Sequence, residues 1–211
     1  GALGAIKPVQ SFLNGYIPIL CNVHRGEEDT LETIYLTEQG DCNFEYAVWI
    51  RRVVYENQSA QPKSITYENV GACGLGNRLP LEEDIFVDCF VELLDYWQEF
   101  EQEQTAVQVP EKELERTYKG TMMVLDNLRS GFRLCYGNEF YGLETHHNFP
   151  PNYISMIWVY VITGHRKIAR GILEHFLTNA VDTKGRIIYR QGERQLYGFS
   201  GSEIGQLLWL I

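Results

Sequence analysis

Residues 148–187, NFPPNYISMIWVYVITGHRKIARGILEHFLTNAVDTKGRI, predict two helices of opposite character joined by a short turn. Residues 153–163 are apolar on nearly every face, which is typical of an enclosed helix. Gly164 then favours a helix end, because glycine adopts the left-handed backbone of a C-terminal cap without strain. Residues 167–177 are amphipathic, so we expect this second helix to lie on the outside of the domain with one apolar stripe facing inward.

The alternation of outer and inner helices continues on both sides of this segment. Residues 114–128 carry apolar side chains at helical spacing, and Pro110 followed by acidic residues is a helix-start signal. Residues 202–211, SEIGQLLWLI, are again apolar nearly all round. Tight turns on one side and long loops on the other would arrange such helices as concentric rings. Because the sequence stops on an apolar helix, we expect the chain to be a piece of a larger protein.

The first part of the chain has a different period. Alternating apolar and polar residues predict strands at 16–23, 31–37, 44–55 and 65–70, separated by turn-forming residues. Strands at this spacing favour an antiparallel β-sandwich. The apolar run 85–94 fits either a strand or a helix, since periodicity does not decide a short run. The predicted fold class is therefore α+β, with a β-sandwich over 1–97, an acidic linker over 98–113 and a partial helical domain over 114–211.

Composition limits the classes of function. With 18 basic and 28 acidic residues, the net charge is −10, which argues against nucleic-acid binding and against anionic membrane surfaces. No apolar run approaches the roughly 18 residues of a membrane span. The five cysteines are scattered singly without a C-x-x-C pair, which favours free thiols in a reducing, cytoplasmic compartment. We therefore expect no metal and no cofactor.

Three segments carry a family resemblance: 109–128, VPEKELERTYKGTMMVLDNL; 148–187, quoted above; and 198–211, GFSGSEIGQLLWLI. They resemble the linker and first barrel helix, the second helical hairpin and the next inner helix of the six-hairpin glycosidase superfamily. These carbohydrate enzymes are built on an (α/α)6 barrel, and several carry an N-terminal β-sandwich. The resemblance implies that this chain comprises the sandwich and the first hairpins of such a barrel.

The same resemblance implies an activity class, the inverting acid/base hydrolysis of a glycosidic bond in an oligo- or polysaccharide. The family's acid and base usually lie on later hairpins, so the catalytic pair is expected beyond Ile211. Two alternatives remain: a phosphorylase or lyase on the same barrel, and a non-catalytic carbohydrate-binding or structural fragment. Because a few helices of an open ring would expose apolar edges, we also expect a homo-oligomer when the chain stands alone.

Two long loops, 135–153 and 186–203, would form the mouth of the barrel. They are rich in carboxylates, amides, guanidinium groups and aromatic rings, which bind sugar hydroxyls and sugar faces. The predicted substrate-binding residues are Glu139, Glu144, His146, His147, Asn148, Arg190, Tyr197 and Glu203.

Some of these residues also have other interpretations. Glu203 stands in Ser200-Gly201-Ser202-Glu203, which fits a capping box as well as a substrate contact or the general acid. His146 and His147 could contact sugar or phosphate, or only pack in the loop. A metal pair is disfavoured, because adjacent residues point apart on an extended chain and no third ligand lies at metal spacing. Glu139 and Glu144 could be paired carboxylates, although a binding role is preferred.

Overall fold

The computed structural model describes residues 8–38, 46–56, 60–70, 78–134, 146–147, 150–191, 194–198 and 205. The chain divides into two compact units, which are described separately below. Unit 1 comprises 1–99 with 107–124, and unit 2 comprises 100–106 with 125–211.

Unit 1 is built on one antiparallel sheet whose six strands are neighbours in chain order. The strands are β1 (Val9–Leu13), β2 (Ile17–His24), β3 (Glu28–Glu38), β4 (Tyr46–Glu56), β5 (Pro62–Val70) and β6 (Arg78–Pro80). The predicted strands at 16–23, 31–37, 44–55 and 65–70 correspond to β2 to β5. The long central strands β3 and β4 pair in unbroken register from Glu28↔Glu56 to Glu38↔Tyr46.

A helix covers one face of this sheet. The run that periodicity left undecided is helix α1 (Glu83–Glu103). Phe86 and Phe90, one helical turn apart, place their rings 5.1 and 5.5 Å from the ring of Tyr35. The buried Tyr35 hydroxyl also donates a 2.7 Å hydrogen bond to the Phe86 carbonyl. In the described part of unit 1, the sheet face around Tyr35 is therefore covered by a helix and not by the second sheet that a β-sandwich requires.

The helix predicted from the apolar spacing at 114–128 is present as α2 (Lys112–Asp126), which begins two residues after Pro110. Helix α1 extends to Glu103, into the segment predicted as a linker. Gly120 of α2 lies against the β1–β2 turn: a Cβ added there would be 3.3 Å from Tyr16 Cβ. The absence of a side chain at Gly120 thus permits α2 to pack close to this turn.

Unit 2 contains the predicted helical hairpin. Its helices are α3 (Pro150–Ile162) and α4 (Arg166–Asn179), and Gly164 between them has a φ of +99°. The amphipathic character of α4 is confirmed, with Ile172 and Phe176 fully buried. The short strands of this unit are β7 (Arg129–Ser130), β8 (Arg133–Leu134), β9 (His146–His147), β10 (Ile187–Gln191) and β11 (Arg194–Gly198).

Helix α3 departs from the prediction of an enclosed helix. Tyr153, Ile157 and Tyr160 are buried, but Trp158 is 40% exposed and Ile162 is 52% exposed. Within the described residues of unit 2, α3 therefore buries one side and leaves an apolar side open. No helix in the part of the chain that the structure describes is both long and apolar enough to cross a bilayer. The described chain is a mixed α+β structure with a six-stranded antiparallel sheet and four helices.

Candidate functional site

Four of the eight predicted binding residues come together on one small sheet of unit 2. His146 and His147 form β9, Arg190 lies on β10, and Tyr197 lies on β11. The sheet order is β11-β10-β9, and both pairs of strands are antiparallel. The other four predicted residues, Glu139, Glu144, Asn148 and Glu203, lie outside the described residues.

The register of this sheet decides which positions share a face. His147 pairs directly with Arg190, and Tyr197 pairs with Ile188, two residues before Arg190. Directly paired positions share a face, and so do positions two apart on one strand. His147, Arg190 and Tyr197 therefore occupy one face of the sheet. His146, paired with Gln191, occupies the opposite face, as predicted for adjacent residues on an extended chain.

The turn before β10 is held by Asp182. Its Oδ1 atom accepts hydrogen bonds from the backbone amides of Lys184 (2.9 Å) and Arg186 (2.8 Å). Its Oδ2 atom accepts a 2.7 Å hydrogen bond from Arg186 Nε. The hydrogen bond from the Arg186 backbone amide is the main cause that lowers the pKa of Asp182. Gly185, with a φ of +74°, allows the chain to turn within this short loop. The D-x-x-G-R-I pattern at 182–187 is thus a structural turn.

The start of β10 is fastened to the end of α4. The backbone amide of Ile188 donates a 2.7 Å hydrogen bond to the Ala180 carbonyl. Ile187 forms a bridge with Val181 and is only 2% exposed. Because Arg190 follows on the same strand, its backbone position is determined by a buried, hydrogen-bonded anchor.

The first turn of α3, the next described element after β9, is anchored as well. Helix α3 begins at Pro150, and Tyr153 in its first turn is 1% exposed. The Tyr153 hydroxyl accepts a 3.2 Å hydrogen bond from the Leu134 amide, and its ring lies 4.7 Å from that of Phe176. Burial raises the pKa of Tyr153, so the hydroxyl stays protonated as a structural group. Tyr153 therefore ties the first turn of α3 to Leu134 and to α4.

The residue types on this sheet support recognition. The positions supply imidazole, guanidinium and phenol groups, which donate and accept hydrogen bonds to hydroxyls, while a tyrosine ring also offers an apolar face. The three strands contain no aspartate or glutamate. These residue types are common in sites for hydroxylated or anionic ligands, and the three strands contribute no carboxylate for acid/base chemistry.

A second polar arrangement, on the six-stranded sheet of unit 1, was missed by sequence reasoning. Four directly paired positions form a row across β1 to β4: Gln10↔Asn22, Asn22↔Glu32 and Glu32↔Arg52. Gln10 Nε2 donates to Asn22 Oδ1 at 3.1 Å. Arg52 Nε and Nη2 donate to Glu32 Oε1 at 2.9 and 2.8 Å. Strand alternation places the row on the face opposite to Tyr35 and α1.

The electrostatics of the row centre on Glu32. Burial acts to raise the pKa of Glu32, but hydrogen bonds from Arg52 and His24 outweigh it and leave the pKa below its ordinary value. The His24 Nε2 atom lies 3.2 Å from Glu32 Oε2. Each residue was visible as a polar position in a strand, but only the strand register brings them together. Side-chain hydrogen bonds along the row link neighbouring strands of the sheet, so its polar groups have partners within the row.

Unit 2 contains a buried polar network that includes Tyr160 of α3. Asp126 is 5% exposed and accepts hydrogen bonds from Arg129 Nε (2.6 Å) and from the Tyr160 hydroxyl (2.9 Å). His165 is fully buried, stacked on Phe100 with ring centroids 3.9 Å apart. Burial lowers the pKa of His165, so it is uncharged near neutral pH. Because His165 is buried and uncharged, the segment His165-Arg166-Lys167 does not present three basic side chains to solvent.

Metal ligation has no support in the described ranges. Among those residues, no group of three or more His, Cys, Asp or Glu side chains could hold a metal ion. Cys21 and Cys89 are free thiols, and burial raises the pKa of both. The predicted free thiols at 42, 73 and 135 lie outside the described residues.

Comparisons of the chain with protein-family models, with curated proteins and with solved structures found no significant match. The resemblance to six-hairpin glycosidases therefore remains a prediction from the residues.

Proposed function

We propose that this chain belongs to a carbohydrate-active enzyme, an inverting glycoside hydrolase of the six-hairpin type, and that the β9–β10–β11 sheet binds its oligo- or polysaccharide substrate. In this proposal α2, α3 and α4 are the first helices of an (α/α)6 barrel. The acid and base are contributed by residues other than those of the β9–β11 sheet.

One observation carries the proposal: the two loops predicted to form the mouth pair with each other as a sheet. Strand β9 precedes the start of α3, and β10 and β11 follow the end of α4. The start of α3 and the end of α4 both lie opposite the Gly164 turn of the hairpin. The sheet therefore lies at the end of the hairpin opposite the Gly164 turn, where the mouth of a helical barrel is expected. The strand register gives His147, Arg190 and Tyr197 positions on one face of this sheet.

The open side of α3 supports the helical part of the proposal. Trp158, Val161 and Ile162 are 40%, 39% and 52% exposed. A helix with apolar residues on both sides is expected to have neighbours on both sides. An inner barrel helix has such neighbours, so the pattern is what the proposed architecture requires.

A phosphorylase is the second candidate, because His147 and Arg190 occupy directly paired positions. An imidazole and a guanidinium that share a face provide donors suited to a phosphate group. Hydrolysis and phosphorolysis differ in the acceptor of the glycosyl group, which is water in the first and phosphate in the second.

The reaction itself tests the proposal. The full-length protein is incubated with malto-, cello-, xylo- and mannohexaose, with and without inorganic phosphate, and the products are separated by chromatography. Shorter sugars in phosphate-free buffer, with inverted anomeric configuration by proton NMR, support the hydrolase. Sugar 1-phosphates formed only with phosphate support the phosphorylase. No cleavage of any of the four sugars under either condition contradicts both activities.

A further inference from the structure

We propose that unit 1 carries a second oligosaccharide-binding site, in a cleft at the end of the six-stranded sheet where the β2–β3 turn lies. The cleft has a volume of about 460 Å³, within the roughly 300–1,000 Å³ range of ligand pockets. The lining of the cleft includes Val23, Arg25, Asp29, Leu31, Tyr55 and Glu56. None of them was among the predicted binding residues.

The floor of the cleft is apolar and comes from paired strand positions. Val23 pairs with Leu31, and Asp29 pairs with Tyr55, so these four positions share one face of the sheet. The valine, leucine and tyrosine are half-buried. A half-buried aliphatic surface beside a tyrosine ring matches the C–H face of a pyranose ring, which is the less polar side of a sugar.

The rim of the cleft is polar and accessible. Arg25 Nη1 donates a hydrogen bond to Asp29 Oδ2, and the side chains are 67% and 30% exposed. The arginine uses one N–H group in this bond and retains others, while the carboxylate has a second oxygen. A guanidinium and a carboxylate side by side provide both donors and acceptors for sugar hydroxyls.

The charge of the lining favours a neutral ligand. One guanidinium faces two carboxylates, those of Asp29 and Glu56, and the Arg25–Asp29 pair is internally compensated. An anionic ligand would approach two carboxylates, and a cationic ligand would compete with the arginine for Asp29. A neutral, hydroxyl-rich ligand meets neither penalty. The choice of an oligosaccharide among such ligands rests on the proposed function.

The test is isothermal titration of the chain with malto-, cello-, xylo- and mannohexaose. Arg25→Ala removes a largely exposed rim group, so the fold is expected to persist. Lys63→Ala is the matched control. It breaks another exposed ion pair on the same sheet, between Lys63 and Glu28, and neither of these residues lines the cleft. Arg25→Ala should weaken binding of the preferred hexaose about fivefold or more, and Lys63→Ala should leave it within twofold.

The titrations of Arg25→Ala and Arg190→Ala separate this inference from the proposed function. If the titration resolves two binding steps and each variant weakens a different step, both sites are supported. If Arg190→Ala weakens binding and Arg25→Ala equals the unsubstituted chain, the cleft is not a sugar site and the proposed function is unaffected. If Arg25→Ala alone weakens binding, the cleft stands and the β9–β11 sheet does not bind sugar. If no hexaose binds, both proposals fail.

Discussion

Replacing Gly164 by alanine tests the helical hairpin through two separable costs. The first is the backbone: a φ of +99° lies in the region that L-residues avoid, and a left-handed backbone costs about 1–2 kcal/mol. The second is space: an added Cβ would stand 2.5 Å from the Glu103 carbonyl oxygen and 3.1 Å from the Thr105 amide nitrogen. These are backbone atoms, so the chain itself has to shift.

The shift would disturb a hydrogen bond beside the glycine. The Thr105 amide donates to the Thr163 carbonyl at 2.7 Å, and such a bond contributes about 1 kcal/mol net. Adding the backbone cost to a further 1–2 kcal/mol for the lost bond and packing gives a decrease of about 2–4 kcal/mol in the free energy of unfolding.

Gly185→Ala is the matched control within the same unit. Gly185 has a φ of +74°, but nothing lies within 4 Å of its added Cβ. It should show only the backbone cost of about 1–2 kcal/mol, and the effect of alanine on the unfolded chain is shared by both variants. Urea denaturation followed by circular dichroism measures the two differences. Equal losses for both variants would refute the close packing of Gly164 against 103–105.

Three further predictions concern polar groups that are buried or half-buried. Burial lowers the folded-state pKa of His165 below its ordinary value of 6.5, so the unfolded chain binds the proton more readily than the folded chain. The free energy of unfolding should therefore be highest above pH 6.5 and should fall as the pH drops through and below that value. Thermal melts from pH 7.5 to 5 should show this fall, and His165→Phe should reduce it; an unchanged pH profile in that variant contradicts a buried neutral imidazole. Asp126→Ala should lower the free energy of unfolding by about 3–5 kcal/mol in urea denaturation, because it removes the buried carboxylate that pairs with Arg129, whose side chain is only 13% exposed; a loss below 1 kcal/mol would exclude that network. A double-mutant cycle of Glu32→Gln and Arg52→Met should give a coupling of about 1–2 kcal/mol across the sheet, and additive single losses would disprove the row.

The helical hairpin could be predicted because its information is local. Helical periodicity at 167–177 and a glycine at 164 were sufficient for α4 and the turn before it. The strands of unit 1 were predictable for the same reason, since alternation appears within each strand. What covers the sheet was not predictable. Alternation indicates that one face is buried, but not whether a sheet or a helix buries it, and the run 85–94 is too short to decide.

The candidate site was predictable in its residue types and not in its geometry. Histidine, arginine and tyrosine side chains in two long loops were sufficient to predict His147, Arg190 and Tyr197 as binding residues. Their meeting on one sheet depends on the pairing of strands about 40 residues apart, which no local pattern encodes. The row through Glu32 was missed for the same reason, because its members lie on four strands and become neighbours only through register.

Sugar binding by an Arg190→Ala variant tests whether the β9–β11 sheet is a substrate site. Arg170→Ala is the matched control, because Arg170 lies on α4 with its side chain 80% exposed and paired to Glu174. The hexaose that binds the unsubstituted chain most tightly is titrated into both variants by calorimetry. Arg190→Ala should lower the affinity about tenfold or more, and Arg170→Ala should leave it unchanged. Equal affinity for both variants and the unsubstituted chain would contradict a sugar site on the β9–β11 sheet.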